Sequence, residues 1–569
     1  MDAWTADTVS ASTAAAGGPP VRRRWAWGWT VGGLMIAAVV MVPLMAVAGL
    51  AMGSSDDIWS HLASTVLPHY VRTTLLLITG VGVGTLVIGA GTAWLVTMYR
   101  VPGRGIFEWA LLLPLAVPAY VIAYVYTDVL EYAGPVQGLL RATFGWTSAA
   151  DYWFPEIRSL GGAVAMMSLV LYPYVYLLAR AAFTDQSVCA LEVGRTLGAG
   201  PWRNFRRIAL PLARPAVAVG VSLALMEALN DFGTVDYFAV ATFTAGIYDV
   251  WLNMNSTAGA AQLASVLLLF VLALVVVERM ARRQRRFHHM STRYRTLPCH
   301  PLSPTGRWLA FAACLLPLLL GFVVPASLLL VYTLETTATG ATASFLGYAA
   351  NSVLLSGSAV GIAVIVGLIL AYGVRLHENP ALRVATRIAG VGYAVPGAVL
   401  AIGVLVPMAA FDNAVDGLAR QYLGVSTGLL LSGTVVVVVF GYVARFLALS
   451  LGSVEAGLAR ITPAMDDVAR TLGCAPAATL RRVHLPMMKG SIATAALLVF
   501  VDGMKELPMT MLLRPFNFDT LATYVHQLAS DELLEECAPG ALLIVLVGVL
   551  PVILLSRTIR RARPGAVEE

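Results

Sequence analysis

Lysine is almost missing from this chain. Lys489 and Lys505 are the two lysines among 569 residues, and neither follows a glycine. A phosphate-wrapping loop needs Gly-Lys-Ser/Thr to cradle and neutralise phosphates, so the chain has no ATP-hydrolysing site of that kind. Charge of either sign is scarce: 12% of residues are Asp, Glu, Lys or Arg, about half the share in a soluble domain. The five cysteines (Cys189, Cys299, Cys314, Cys474 and Cys537) are odd in number and scattered. Without a Cys-x-x-Cys pair or a Cys/His ligand spacing, they suggest neither a disulfide framework nor a structural zinc site. Residues 1–20 lack the apolar run of a cleavable signal peptide and read, with the stretch up to 27, as a disordered cytoplasmic tail. Paired carboxylates, a histidine cluster or a Ser/His arrangement do not recur near one membrane face, so an embedded enzyme is not indicated.

What the chain has in abundance is apolar sequence. Hydrophobic residues make up 58% of it, and the mean hydropathy is +0.77. A bilayer crossing takes about 20 apolar residues as a helix. Blocks of that kind fall at 28–52, 71–98, 106–128, 160–182, 213–236 and 261–280, then at 308–334, 351–374, 386–409, 427–452, 489–513 and 539–558. Twelve spans put both termini on one side. Arginines decide which: they gather at 22–24, at Arg100 and Arg104, between Arg195 and Arg207, and at 282–286, and in the later half near Arg375, Arg470 and Arg560. The stretches from Arg214 to Arg279 and from Trp308 to Val374 have none between those limits. By the positive-inside bias the termini are cytoplasmic, and the net charge of +6 reflects topology rather than nucleic-acid binding.

Residues 281–307 are basic, contain proline and show no apolar period, and so read as a cytoplasmic linker between halves 28–280 and 308–558, with a cytoplasmic tail at 559–569. His288, His289 and His300 lie near Cys299, but their irregular spacing favours a linker solvated near anionic headgroups over a metal site.

The two halves share text. Glu192-Val-Gly-Arg-Thr-Leu-Gly198-Ala-Gly-Pro201 runs on to Arg206-Arg207-Ile208-Ala-Leu210-Pro211, and Asp467-Val-Ala-Arg-Thr-Leu-Gly473-Cys-Ala-Pro476 runs on to Arg481-Arg482-Val483-His-Leu485-Pro486. Each pair is separated by 275 residues, which gives two parallel halves. The local chemistry predicts a helix–turn–helix at the cytoplasmic surface. Gly198 and Gly473 would end one helix in the left-handed conformation, Pro201 and Pro476 would start the next, and Pro211 and Pro486 would close it before the following span.

These loops, at 184–212 and 453–488, resemble the EAA motif of ATP-binding-cassette importer permeases: EAA, three residues, Gly, nine residues, Ile-x-Leu-Pro. Val193 and Gly194 replace two alanines in the first copy, and Asp467 and Val483 replace Glu and Ile in the second. The resemblance implies an all-α membrane protein with the type I importer fold, about twelve transmembrane helices in two homologous six-helix halves. It also implies that Glu192, Gly198, Pro201, Ile208, Leu210, Pro211, Asp467, Gly473, Pro476, Val483, Leu485 and Pro486 form coupling helices. These would dock on two copies of a separate cytoplasmic ATPase, which holds ATP and magnesium. The chain itself would bind no cofactor and no nucleic acid, and a periplasmic binding protein would deliver the cargo.

Beyond each loop, polar residues interrupt the fifth apolar block: Glu227-Ala-Leu-Asn230-Asp231 with Asp236-Tyr237, and Asp502-Gly-Met-Lys505-Glu506. Charges inside a bilayer pair up or line a path. Asp231, Asp236, Tyr237, Lys505 and Glu506 are therefore candidates for a translocation path, with Lys505 and Glu506 as parts of a structural ion-pair network near the outer surface as the competing reading. The text around them resembles the fused ferric-iron permeases, which implies Fe(III) as cargo held transiently, without a stable metal site. Fused permeases for 2-aminoethylphosphonate or thiamine share the layout. A major-facilitator transporter also has twelve spans, but its Gly-x-x-x-Asp-Arg motif has no match in Met98-Tyr-Arg-Val-Pro-Gly-Arg104.

Overall fold

The computed structural model describes residues 22–53, 58–185, 196, 200–283, 300–337, 343–377 and 379–561, and these are helical almost throughout. The first half comprises α1 (Arg22–Ala51), α2 (Leu67–Met98), α3 (Arg104–Ala110), α4 (Ala119–Leu130), α5 (Pro135–Phe144), α6 (Leu160–Asp185), α7 (Leu210–Asn230), α8 (Gly233–Tyr237), α9 (Phe243–Tyr248) and α10 (Thr257–Arg283). The second comprises α11 (Pro304–Leu318), α12 (Val324–Thr337), α13 (Ala343–Leu376), α14 (Pro380–Ala389), α15 (Gly397–Leu423), α16 (Val435–Ala459), α17 (Pro463–Thr471), α18 (Leu485–Met504), α19 (Pro508–Leu513), α20 (Leu521–Ser530) and α21 (Leu534–Arg561). Among the described residues, eleven helical segments are long and apolar enough to cross a bilayer.

The remaining span, expected at 106–128, is broken. Arg104–Ala116 and Ala119–Phe144 meet at 90°. Its counterpart, expected at 386–409, instead runs over Gly397–Leu423 after a separate α14. Both breaks have one cause. Val117-Pro118 and Val395-Pro396 sit at them, and a residue before proline is pushed out of the helical region. Val117 and Val395 are extended, with ψ of 119° and 128°, each after a short 3₁₀ turn.

Other prolines do not break their helices. Pro211 and Pro486 were expected to close a surface helix, but Trp202–Asn230 and Pro476–Met504 each run as one span. A π turn, Phe205–Ala209 or Leu480–His484, immediately precedes the Leu-Pro pair in each case. A proline ring clashes with the carbonyl four residues back. The wider π turn moves that carbonyl away. Leu62–Val66 before Leu67-Pro68 and Leu319–Val323 before Val324-Pro325 repeat the device.

In each half the second, fourth and fifth spans pack together, as α2, α6 and α7 and as α13, α16 and α18. The first spans cross over. α1 lies against α14 and α15 of the other half, and α12 reaches α4. Asn379 Nδ2 donates to Thr30 Oγ1 at 2.8 Å, and Tyr126 OH donates to Leu320 O at 2.8 Å. The α1–α15 crossing is close enough to need glycine: a Cβ on Gly403 would press on the Pro43 backbone, with its Cα 2.8 Å away. Outward residues such as Leu75, Val83 and Val87 of α2 and Leu269 and Val276 of α10 are exposed and apolar, as lipid-facing helices require.

Candidate translocation site

The ends of α7 and α18 meet at a cavity of about 90 Å³. It lies near mid-height of the bundle, since Val170 and Arg445, each the eleventh residue of its helix, line it from α6 and α16. Of the residues singled out from sequence, Asp231, Lys505 and Glu506 line it, joined by Glu227, Asn230 and Asp502. Asp231 and Glu506 were placed within the fifth helix. Both stand just beyond its end, because α7 stops at Asn230 and α18 at Met504.

There the two carboxylates do equivalent local work. Asp231 accepts the Thr234 N–H at 2.9 Å and the Thr234 hydroxyl at 3.0 Å, and so caps α8. Glu506 accepts the Met509 N–H at 3.1 Å and caps α19. A carboxylate at a helix N-terminus satisfies orphan donors and favours the dipole.

Lys505 and Glu506 both belong to ion pairs, each with a different partner. Lys505 Nζ meets Asp502 at 2.9 Å, and Glu506 accepts from Arg445 at 2.8 Å with both side chains 5% exposed. Tyr393 donates to Glu227 at 2.9 Å, and Asn230 accepts the Gly397 N–H at 2.6 Å, so the first and second halves interlock at the cavity. The lining therefore holds four carboxylates against two cations, and each cation is engaged by one carboxylate. Arg445 was missed in the sequence, although a lone arginine inside an apolar block is itself a signal. Its counterpart is Val170, 275 residues earlier, so the repeat hides it.

Asp236 and Tyr237 do not join the cavity. Asp236 is 44% exposed and 3.7 Å from His526 Nε2, and His526 Nδ1 lies 2.7 Å from Tyr124 OH. The Tyr237 ring lies under Arg158, whose Nε meets Glu131 at 2.7 Å. They form a second polar layer on the side away from the arginine-rich loops. Among the described residues, no three His, Cys, Asp or Glu side chains converge as a metal site would require.

In the second motif loop, Gly473 has φ +78°, the left-handed turn its position calls for, and Pro476 opens the next helical turn. Asp467 is exposed and pairs with Arg470 at 3.4 Å. Met465 and Val468 of α17 and Leu472, which follows its last residue, are exposed at helical spacing, an apolar row that the motif itself does not reveal. Val483 and Leu485 are half-buried at the start of the span. In the first loop Glu192 and Gly198 lie outside the described residues. Pro201 opens a helical turn, Ile208 and Leu210 are half-buried, and Phe205 packs on Trp94 with ring centroids 5.1 Å apart. Of the linker histidines, His300 is described: its backbone pairs with Met98 and Arg100 beside the end of α2.

Two six-span halves with crossed first helices and a charged mid-height cavity define a membrane transport protein. Residues 85–286 match the family model described as binding-protein-dependent transport system inner membrane component. The Fe(3+)-transport system permease protein FbpB 2 of Haemophilus influenzae is 26% identical over 86% of this chain and 90% of its own length. The molybdenum transport system permease protein ModB of Escherichia coli is 29% identical over 35% of this chain and 87% of its own length. The sulfate transport system permease protein CysT of Escherichia coli is 27% identical over 36% of this chain and 72% of its own length. The chain is a multi-pass inner-membrane permease of a binding-protein-dependent ABC importer, a transport subunit without an ATPase domain, and its class works with an ATPase and a binding protein.

Proposed function

We propose that this permease carries Fe(III) from a periplasmic binding protein into the cytoplasm by alternating access, driven by two copies of a separate ATPase. The observation that carries the cargo assignment is the cavity's charge: Glu227, Asp231, Asp502 and Glu506 outnumber Arg445 and Lys505, and each cation already has a carboxylate partner. Such an excess favours a hard cation, for which oxygen ligands are suited, over an anion such as sulfate. The full-length likeness to a permease named for Fe(3+) transport supports the same choice. Few ligands are desirable in a conduit, because a complete cage would hold the ion. Asp231, Lys505 and Glu506 form the inner path in this reading, and Asp236 and Tyr237 the approach to it.

The motif loops serve as coupling helices: Glu192, Gly198, Pro201, Ile208, Leu210 and Pro211 in the half at 28–280, and Asp467, Gly473, Pro476, Val483, Leu485 and Pro486 in the half at 308–558. The exposed row Met465, Val468 and Leu472 supports docking of α17 in an apolar groove on the ATPase. Both termini and the linker at 281–307 are then cytoplasmic.

The test is uptake of radiolabelled Fe(III) by cells lacking other iron importers, with 2-aminoethylphosphonate and thiamine as comparison substrates. Deleting this chain should stop iron uptake alone. Unchanged iron uptake with loss of either other substrate would overturn the cargo assignment and leave the importer class standing.

A further inference from the structure

Tyr372 and Arg375 lie three residues apart on one face of the last turns of α13, and both reach into the second motif loop. Arg375 Nε donates to Asp466 Oδ2 at 2.9 Å, and its two terminal nitrogens donate to Leu458 O at 2.7 Å and Ile461 O at 2.9 Å. One guanidinium thus ties α17 to the end of α16. Tyr372 OH donates to Pro476 O at 2.7 Å, across the Gly473 turn from Asp466. His484 closes the ring of contacts. Its Nε2 lies 2.6 Å from Asp466 Oδ1, and its ring stands edge-on to Tyr372 with centroids 5.4 Å apart. These groups are largely withdrawn from water: the side chains of Arg375, Asp466 and His484 are 16%, 23% and 1% exposed. Withdrawal is what gives such pairs their rigidity, since exposed pairs are screened and mobile.

The same helix also passes close to the cavity. Sixteen residues back along α13, about 24 Å at the helical rise, Ser356 abuts Gly503, where an added Cβ would meet the serine Oγ at 2.9 Å. Gly503 follows Asp502 directly. One helix therefore packs beside a cavity-lining carboxylate at one level and grips both helices of the motif loop at another.

The first half cannot build this grip. At the 275-residue offset, Thr97 stands for Tyr372, Arg100 for Arg375, Leu191 for Asp466 and Ala209 for His484. Leu191 and Ala209 carry no polar group, and the Thr97 hydroxyl, on a much shorter side chain, is buried without a hydrogen-bond partner.

We propose that Tyr372, Arg375, Asp466 and His484 form a joint that fixes the second motif loop to α13, so that ATPase movement reaches the cavity chiefly through the second half. The proposal rests on the coupling-loop reading above and adds that the two loops work unequally. All four are positioning residues. Asp466 sets the angle of α17, His484 and Tyr372 set the helix after the turn, and Arg375 holds both to the span.

The test uses the full complex of this chain with its ATPase and binding protein in nanodiscs. In Asp466→Asn and His484→Ala, ATPase copurification should persist, while the ratio of hydrolysis stimulated by cargo-loaded binding protein to basal hydrolysis should fall at least fivefold. His484→Gln, whose amide nitrogen can also donate to Asp466, should recover at least half of that ratio. Ala209→Ser, at the position equivalent to His484, should leave it within twofold. An unchanged ratio in Asp466→Asn and His484→Ala would overturn the joint, as would an equal fall of basal and stimulated rates. Failure of the unaltered chain to bind the ATPase would instead overturn the coupling-loop reading itself.

Discussion

Replacing Arg445 with methionine removes the guanidinium that Glu506 accepts from at 2.8 Å, in a place where both side chains are 5% exposed. The methionine fills much of the space, so the dominant cost is electrostatic: Glu506 loses the partner that compensates its buried carboxylate. Breaking a buried pair from one side costs about 3–5 kcal/mol, whereas removing both charges is often nearly neutral. Unfolding entropy scales with length at about 2 cal/mol/K per residue, so a loss of that size lowers the midpoint of a chain this long by about 3–4 °C. Arg445→Met should show that shift in thermal denaturation of the purified permease. The double variant Arg445→Met, Glu506→Gln should regain most of it, because Gln still offers an oxygen to the Met509 N–H that Glu506 caps at 3.1 Å. Additive losses in the double variant would mean that the two side chains are not coupled, and a neutral single variant would show that the pair is not buried as described.

Gly473→Leu forces a branched side chain into a left-handed position at φ +78°, a cost of about 1–2 kcal/mol. Together with Gly198→Leu it should leave the chain in the membrane but reduce ATPase copurification and transport; full transport would sink the coupling assignment. Asp231→Asn should lower Fe(III) uptake without loss of complex assembly, since the amide oxygen still caps α8 while the charge is gone; undiminished uptake would remove Asp231 from the path. Gly403→Val should press on the Pro43 backbone and loosen α1 from the second half, seen as faster proteolysis between α1 and α2; unchanged proteolysis would mean the crossing tolerates a side chain. Mass measurement of the purified complex should give one permease chain to two ATPases, because one polypeptide carries both loops; two permease chains per complex would contradict this.

Much of this was legible in the sequence where local chemistry decides. Apolar blocks located the spans because a bilayer leaves a helix little alternative, and the 275-residue offset located the equivalent loops. The left-handed turn at Gly473 followed from its place after a helix. Errors came where hydropathy is blind to backbone geometry. Val117-Pro118 and Val395-Pro396 are apolar, so the blocks ran straight through breaks that the pre-proline restriction imposes. Pro211 and Pro486 were expected to end a helix, and only the π turns before them reveal why they do not. The charged cavity was half legible. Asp231, Lys505 and Glu506 stood out as polar text in apolar surroundings, but their partners depend on tertiary contact, and Arg445 has no counterpart in the first half. The crossing of α1 onto α14 and α15 has no local signature at all.

Iron import can be measured by reconstitution: the permease, its ATPase and its binding protein in proteoliposomes, with radiolabelled Fe(III) supplied on the binding-protein side and ATP on the other. Iron should accumulate inside the vesicles only with both ATP and the binding protein, and less in Asp231→Asn. Accumulation driven by an ion gradient without ATP, or ATP-driven accumulation of a different cargo with none of iron, would contradict it.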